Sequence, residues 1–317
     1  MTAAAGRLDG NTVLVPAPLG SRLHTRHLVG TLGPKGLRLS LVEAAWCVMG
    51  DRLKMEGDAT AADLLARGDA QTEAEHLVYA DLRERGLVVR HAGASLAVLP
   101  RGAGLDAAPL YTVRPFSERT FLSAADLLGC VGGIVAVADD DGAVTHYKIE
   151  ASAPMGNHPV GKLPVATGRP LRDRVLVEDG DVRQAWQGEG IGVAHGSGFV
   201  LSLVEAEHLR RRGVLKLPSS RAPSPDLARL VAVHEAVRAT GALCKSGFKF
   251  GTHFRAYRDD PDEAHAEWLI QAIGSDDTMA WSDLSRAIRL AHGVRKTLLL
   301  ALAGKKVAFL SLSWFRP

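Results

Sequence analysis

The sequence has little with which to build a cross-linked, membrane-bound or nucleotide-dependent protein. Its 317 residues include three cysteines, Cys47, Cys130 and Cys244, which lie far apart with no CxxC spacing. That pattern excludes a disulfide framework or a thiolate zinc site as an organising device and fits a reducing cytoplasm. No stretch reaches the roughly 18 uncharged apolar residues of a membrane span, and the N-terminal segment Met1 to Asp9 lacks the apolar core of a secretion signal. A soluble, untargeted, cytoplasmic protein is therefore expected. Glycine is frequent, but no GxGxxG or Walker A run stands between a strand and a helix, so no cofactor is expected. A strong charge of either sign is missing too. The net charge of +3 permits a polyanionic partner without demanding one. What is present, 46% hydrophobic and 23% charged residues, is enough for two or more globular domains.

The chain repeats itself. Leu39-Ser40-Leu41-Val42-Glu43-Ala44 recurs, identical, as Leu201-Ser202-Leu203-Val204-Glu205-Ala206. In each copy a serine stands three places before a glutamate, the spacing of a capping box at a helix start. Charged amphipathic segments ending in glycine follow, near Glu73 to Gly86 and near Pro225 to Gly241. Farther on, Val131 to Ala151 lies on Val294 to Trp314 without a gap, each reading as strand, turn and strand. Two tandem homologous units are expected, residues 1–151 and 172–317. Each has an α+β N-terminal part followed by a mixed-sheet α/β part, and the second divides into 172–241 and 242–317. The connecting stretch, 152–171, opens with the Pro- and Gly-rich run Ser152 to Pro164 and reads as a linker.

Between Gly247 and Lys296 stand three residues whose chemistry is complementary. Tyr257 ends the strand-like run Phe254-Arg255-Ala256-Tyr257, and His265 opens another, His265-Ala266-Glu267-Trp268-Leu269-Ile270. Lys296 lies where a helical pattern, Ser282 to Val294, gives way to Thr297 to Leu302. Phenol, imidazole and ammonium are the groups needed to move a 2′-hydroxyl proton, protonate a leaving 5′-oxygen and balance charge on a phosphorane without a metal. Singly, each has a plainer reading: a half-buried packing tyrosine, a solvated histidine, a lysine at a helix end.

The order FGxxFRxY, HAEWL, a helix ending in VRKT and a hairpin closing on Trp314-Phe315-Arg316-Pro317 resembles the catalytic half of archaeal tRNA-splicing endonucleases. The resemblance implies that Tyr257, His265 and Lys296 form a catalytic triad, that the enzyme is a homodimer, and that precursor tRNA is cut at paired bulges flanking a short helix. It also implies that Arg289 and Arg316 hold a bulged base between their guanidinium planes. The first unit is the catalytically empty copy. Aligning Trp268 with Tyr111 puts Ala108 in the place of His265, the ungapped run puts Gly133 in the place of Lys296, and Leu96 to Leu99 offers no tyrosine. In its place the first unit has an acidic turn, Asp139-Asp140-Asp141-Gly142, where the second has Ala303-Gly304-Lys305-Lys306. By itself that is a solvated hairpin tip. By resemblance it docks into a basic cleft of the partner chain. Alternative readings are a non-catalytic RNA-binding or assembly subunit and a metal-dependent nuclease of similar sheet. The latter needs carboxylates in a D/E-x-K spacing, which Asp262 and Glu267 do not provide.

Overall fold

A computed structural model describes residues 5–218 and 222–317. Its centre is one mixed sheet of ten strands: β1 (Val88–Ala92), β2 (Ser95–Leu99), β3 (Tyr111–Ser117), β4 (Ile134–Ala138), β5 (Val144–Ala151), β6 (Leu243–Ser246), β7 (Phe254–Tyr257), β8 (Trp268–Gly274), β9 (Thr297–Ala303) and β10 (Val307–Phe315). Their order across the sheet is β6-β7-β8-β9-β10-β5-β4-β3-β2-β1. Each half repeats one pairing scheme. β3 and β4 are parallel, as are β8 and β9, and every other neighbouring pair is antiparallel.

The halves meet where β5 pairs with β10. There Ile149 faces Leu312, 163 positions on, which is the offset of the ungapped alignment of the two runs. The strand seam is thus self-complementary, and its side chains feed a core shared by both halves. Trp281 is fully buried there, stacked on Tyr147 at 5.6 Å, and the Tyr147 hydroxyl lies 2.8 Å from Ser285 Oγ. Burying aromatic surface from both halves in one cluster with Leu284, Ile288, Leu298 and Leu310 fastens the sheet into a unit.

A small domain precedes each half-sheet, with a four-stranded sheet in each (Arg7–Asp9, Thr12–Val15, Gly36–Ser40 and Thr31–Gly33; Arg169–Pro170, Arg174–Val177, Gly198–Ser202 and Val193–His195). The identical hexapeptides do the same work in both. Ser40 and Ser202 are N-caps of helices Leu41–Met49 and Leu203–Arg211, and each closes a capping box with Glu43 or Glu205. The same two glutamates reach out of the box to accept a backbone N–H, from Gly30 at 2.8 Å and from Gly192 at 3.0 Å. A carboxylate with two such tasks leaves little freedom to the sequence around it. Ser202→Ala removes the acceptor for Glu205 N, and urea unfolding should report a loss of about 1 kcal/mol.

The expected helices are present with shifted ends: Ala70–Glu84, Pro225–Ala239 and Trp281–Gly293. Asp69 caps the first by a capping box with Thr72, starting it earlier than the apolar pattern alone implied. Two other boundaries differ more. His265 does not open a strand, because β8 begins at Trp268 and residues 264–267 form an irregular segment. Regular structure also resumes inside the expected linker, with Ala166–Thr167 pairing in parallel with Leu215–Lys216. The stretch before it is held rather than loose: Gly156 and His158 donate to the carbonyls of Thr240 and Gly241.

The strand register also corrects the alignment of the two halves. Trp268 faces Thr297 and Val113 faces Ile134, so Trp268 corresponds to Val113 and not to Tyr111. Leu110 rather than Ala108 then stands in the place of His265. Reading along the sequence missed this two-residue slip because both registers keep the same face of the strand turned to the core.

Candidate active site

The cleft that carries the candidate residues lies between the second small domain and the β6–β7 end of the sheet. Its volume is about 650 Å3, and Tyr257, His265 and Lys296 all line it, together with Lys245, Lys249 and Arg255. Each candidate reaches the cleft from a different kind of element. Tyr257 is the last residue of β7 and is 5% exposed. His265, itself exposed, comes from the irregular segment before β8, after the turn through Asp260 and Pro261.

Lys296 depends on the way helix Trp281–Gly293 ends. Arg295 adopts the left-handed conformation, φ 55°, so the chain reverses and Lys296 N donates to Ala291 O at 2.8 Å. The next residue, Thr297, enters β9 beside Trp268. In the first half Gly132 occupies the matching left-handed position at φ 79°, and Gly133 follows it where Lys296 stands in the second. The turn is repeated and the side chain is not.

Lys296 Nζ donates to Ala266 O at 2.6 Å. This bond ties the ammonium to the residue after His265 and so fixes the irregular segment against the start of β9. Burial lowers the affinity of Lys296 for its proton, and the charges of Arg255 and Lys249 lower it further. Phe250 lies near two of these cations, with Lys249 Nζ 5.5 Å and Lys296 Nζ 5.7 Å from its ring centroid. Such crowding of like charge is unfavourable until an anion lies among them.

Burial raises the Tyr257 phenol above its ordinary value, Arg255 opposes that shift, and Asp262 reinforces it. The cation that acts on the phenol is Arg255, whose guanidinium carbon lies 5.5 Å from the Tyr257 ring centroid. The motif FRxY contained the signal, since residues two apart on a strand share a face. Among the described residues no group of three or more His, Cys, Asp or Glu side chains is arranged to hold a metal ion.

Arg289 and Arg316 are exposed and neither lines this cleft. The acidic turn lies elsewhere as well, at the β4–β5 hairpin. Asp139 is consumed by the turn itself, its Oδ1 accepting from Asp141 N and from Ala143 N at 3.1 and 2.9 Å. Asp140 pairs with Arg119, whose Nε donates to it at 3.0 Å, a partner that reading the sequence did not identify.

A sheet-based cleft presenting phenol, imidazole and crowded cations, without a nucleotide loop, defines a candidate nuclease centre of the acid–base type. Residues 227–308 match the family described as tRNA intron endonuclease, catalytic C-terminal domain, a range that includes Tyr257, His265 and Lys296. The chain is similar over almost its whole length to curated proteins named tRNA-splicing endonuclease. That of Methanosarcina acetivorans is 31% identical, covering 97% of this chain and 98% of its own. That of Natronomonas pharaonis is 33% identical, covering 89% and 90%. That of Haloarcula marismortui is 32% identical, covering 98% and 99%. The chain belongs to the tRNA-splicing endonuclease family and is an endonuclease.

Proposed function

We propose that this protein cleaves precursor tRNA at both ends of an intron, at bulges flanking a short helix, as a homodimer of chains each built from two homologous units. The observation that carries the reading is the convergence of Tyr257, His265 and Lys296, from three separate segments, on one cleft. Tyr257 takes the proton of the 2′-hydroxyl, whose oxygen attacks the adjacent phosphorus. His265 gives a proton to the leaving 5′-oxygen, and Lys296 stabilises the charged phosphorane. One P–O bond forms and one breaks, leaving a 2′,3′-cyclic phosphate and a 5′-hydroxyl. Bulges suit this chemistry because their unstacked nucleotides expose the 2′-hydroxyl and allow the attacking and leaving oxygens to align.

The two units are read as one catalytic copy (172–317) and one empty copy (1–151), a view supported by the repeated pairing scheme and by the seam at Ile149 and Leu312. Arg289 and Arg316 are assigned to the bulged base, which a flat guanidinium can stack upon. Their exposure leaves both free to meet RNA.

The test is to incubate the protein with a bulged precursor tRNA in excess chelator. Two cuts with 2′,3′-cyclic phosphate ends are expected. A requirement for added divalent metal would favour the metal-dependent nuclease instead, and binding without cutting under both conditions would leave only a non-catalytic RNA-binding subunit.

A further inference from the structure

Arg255 has no role in the mechanism above, yet its surroundings are unusual for a structural arginine. It is half-buried, its Nε is shielded from water without a hydrogen-bond partner, and among the described residues no carboxylate pairs with it. Directly across the strand pair it faces Lys245, two like charges side by side. Such a pair is destabilising on a sheet. Lys245 is provided for, since its Nζ donates to Gly192 O at 3.0 Å and lies 3.7 Å from Glu205. What Arg255 has is the Tyr257 ring, on the same face of β7 two residues on, 5.5 Å from its guanidinium carbon.

We propose that Arg255 is a positioning residue of this cleft, a guanidinium laid on the Tyr257 ring that holds the phenol toward the RNA and supplies the positive charge against which its anion forms. The inference rests on the reading of Tyr257 as the group that deprotonates the 2′-hydroxyl. In that role the phenol first gives its proton to solvent, and the phenolate then accepts the hydroxyl proton. Arg255 stays charged throughout, as its chemistry requires. A cation over an aromatic face is attracted to the neutral ring, and more strongly to the phenolate. The other charged groups lining the cleft divide into two sets. Asp262 resists ionisation of the phenol, whereas Lys245, Lys249 and Lys296 line the same cleft without stacking on it. Removal of the Arg255 charge should therefore act on Tyr257 in a way that removal of a remote phosphate contact would not.

The chain has four tyrosines, and Tyr79 and Tyr147 are fully buried, so the phenolate absorbance of Tyr257 can be isolated as the difference from Tyr257→Phe. In Arg255→Met that transition is expected to move to higher pH. Single-turnover cleavage should fall about tenfold at pH 7, with the gap closing as pH rises. Arg255→Lys should recover part of the loss, because it keeps the charge but not the flat contact, and it serves as the test should the methionine variant fail to fold. An unmoved Tyr257 transition, with cleavage lowered equally at every pH or with only affinity reduced, would overturn the proposal and make Arg255 a phosphate contact. Failure of the parent protein to cleave would count against the proposed function instead, and the phenol titration, which needs no RNA, would still decide on Arg255.

Discussion

Lys296→Gln is expected to lower single-turnover cleavage of a bulged precursor about a hundredfold or more, while RNA affinity stays nearly unchanged. Glutamine is the informative replacement. The lysine also donates to Ala266 O, and an alanine would remove that tether together with the charge. Glutamine retains a donor, so a loss that persists belongs to the charge. Stability should move the other way. The folded protein binds the Lys296 proton less tightly than the unfolded chain does, first through burial and then through Arg255 and Lys249. The charged lysine therefore costs stability at neutral pH. That cost is full below the folded value and fades as pH climbs from there to the ordinary lysine value. Urea unfolding of Lys296→Gln at neutral pH should accordingly show equal or slightly greater stability, the signature of a side chain kept for chemistry. A stable variant that cleaves at the parent rate would remove Lys296 from the mechanism.

Replacing Asp139, Asp140 and Asp141 together with serine should abolish most activity without unfolding the protein. The structure sharpens this expectation, because two of the three carboxylates already have local work. Serine can replace the Asp139 acceptor in part, and the Arg119–Asp140 pair has side chains 76% and 56% exposed. Pairs so open to water contribute at most about 1 kcal/mol. The local bonds therefore cannot carry a large effect. If the turn docks into a basic pocket of a partner chain, charge-assisted contacts there set the register between subunits and place the partner's triad. Analytical ultracentrifugation should then show a weakened dimer, or a dimer that binds RNA without cutting it, with a normal circular dichroism spectrum in either case. A triple variant that remains dimeric and fully active from low to high salt would reduce the turn to a solvated tip. Separate single replacements would assign the effect, since among the described residues Asp141 is the one of the three whose carboxylate accepts no hydrogen bond.

Much of the candidate site could be read from the chain because its parts are local. The capping boxes at Ser40 and Ser202 need only residues three apart, and they form as the spacing implies. The strand ending in Tyr257 and the junction carrying Lys296 are likewise set by a few neighbours. Repetition added long-range information that a single copy lacks: one half without counterparts of Tyr257, His265 and Lys296 made these side chains conspicuous in the other. The ungapped offset of 163 reappears in space as the facing pair Ile149 and Leu312.

What tertiary structure alone decided was everything that depends on which strands become neighbours. The register of β3 against β4 moved the counterpart of His265 from Ala108 to Leu110, a shift of two residues that leaves the hydrophobic face unaltered and so leaves no mark on the sequence pattern. The bond from Lys296 to Ala266 O joins residues 30 positions apart, and Arg119 meets Asp140 across 21. Neither partner choice is encoded by spacing, because both follow from packing. The phenol's cation is a mixed case, since the two-residue spacing in FRxY already offers the pair. What packing adds is the cleft into which both side chains turn, with the Arg255 guanidinium carbon 5.5 Å from the phenol ring and the Lys296 ammonium bonded to the Ala266 carbonyl.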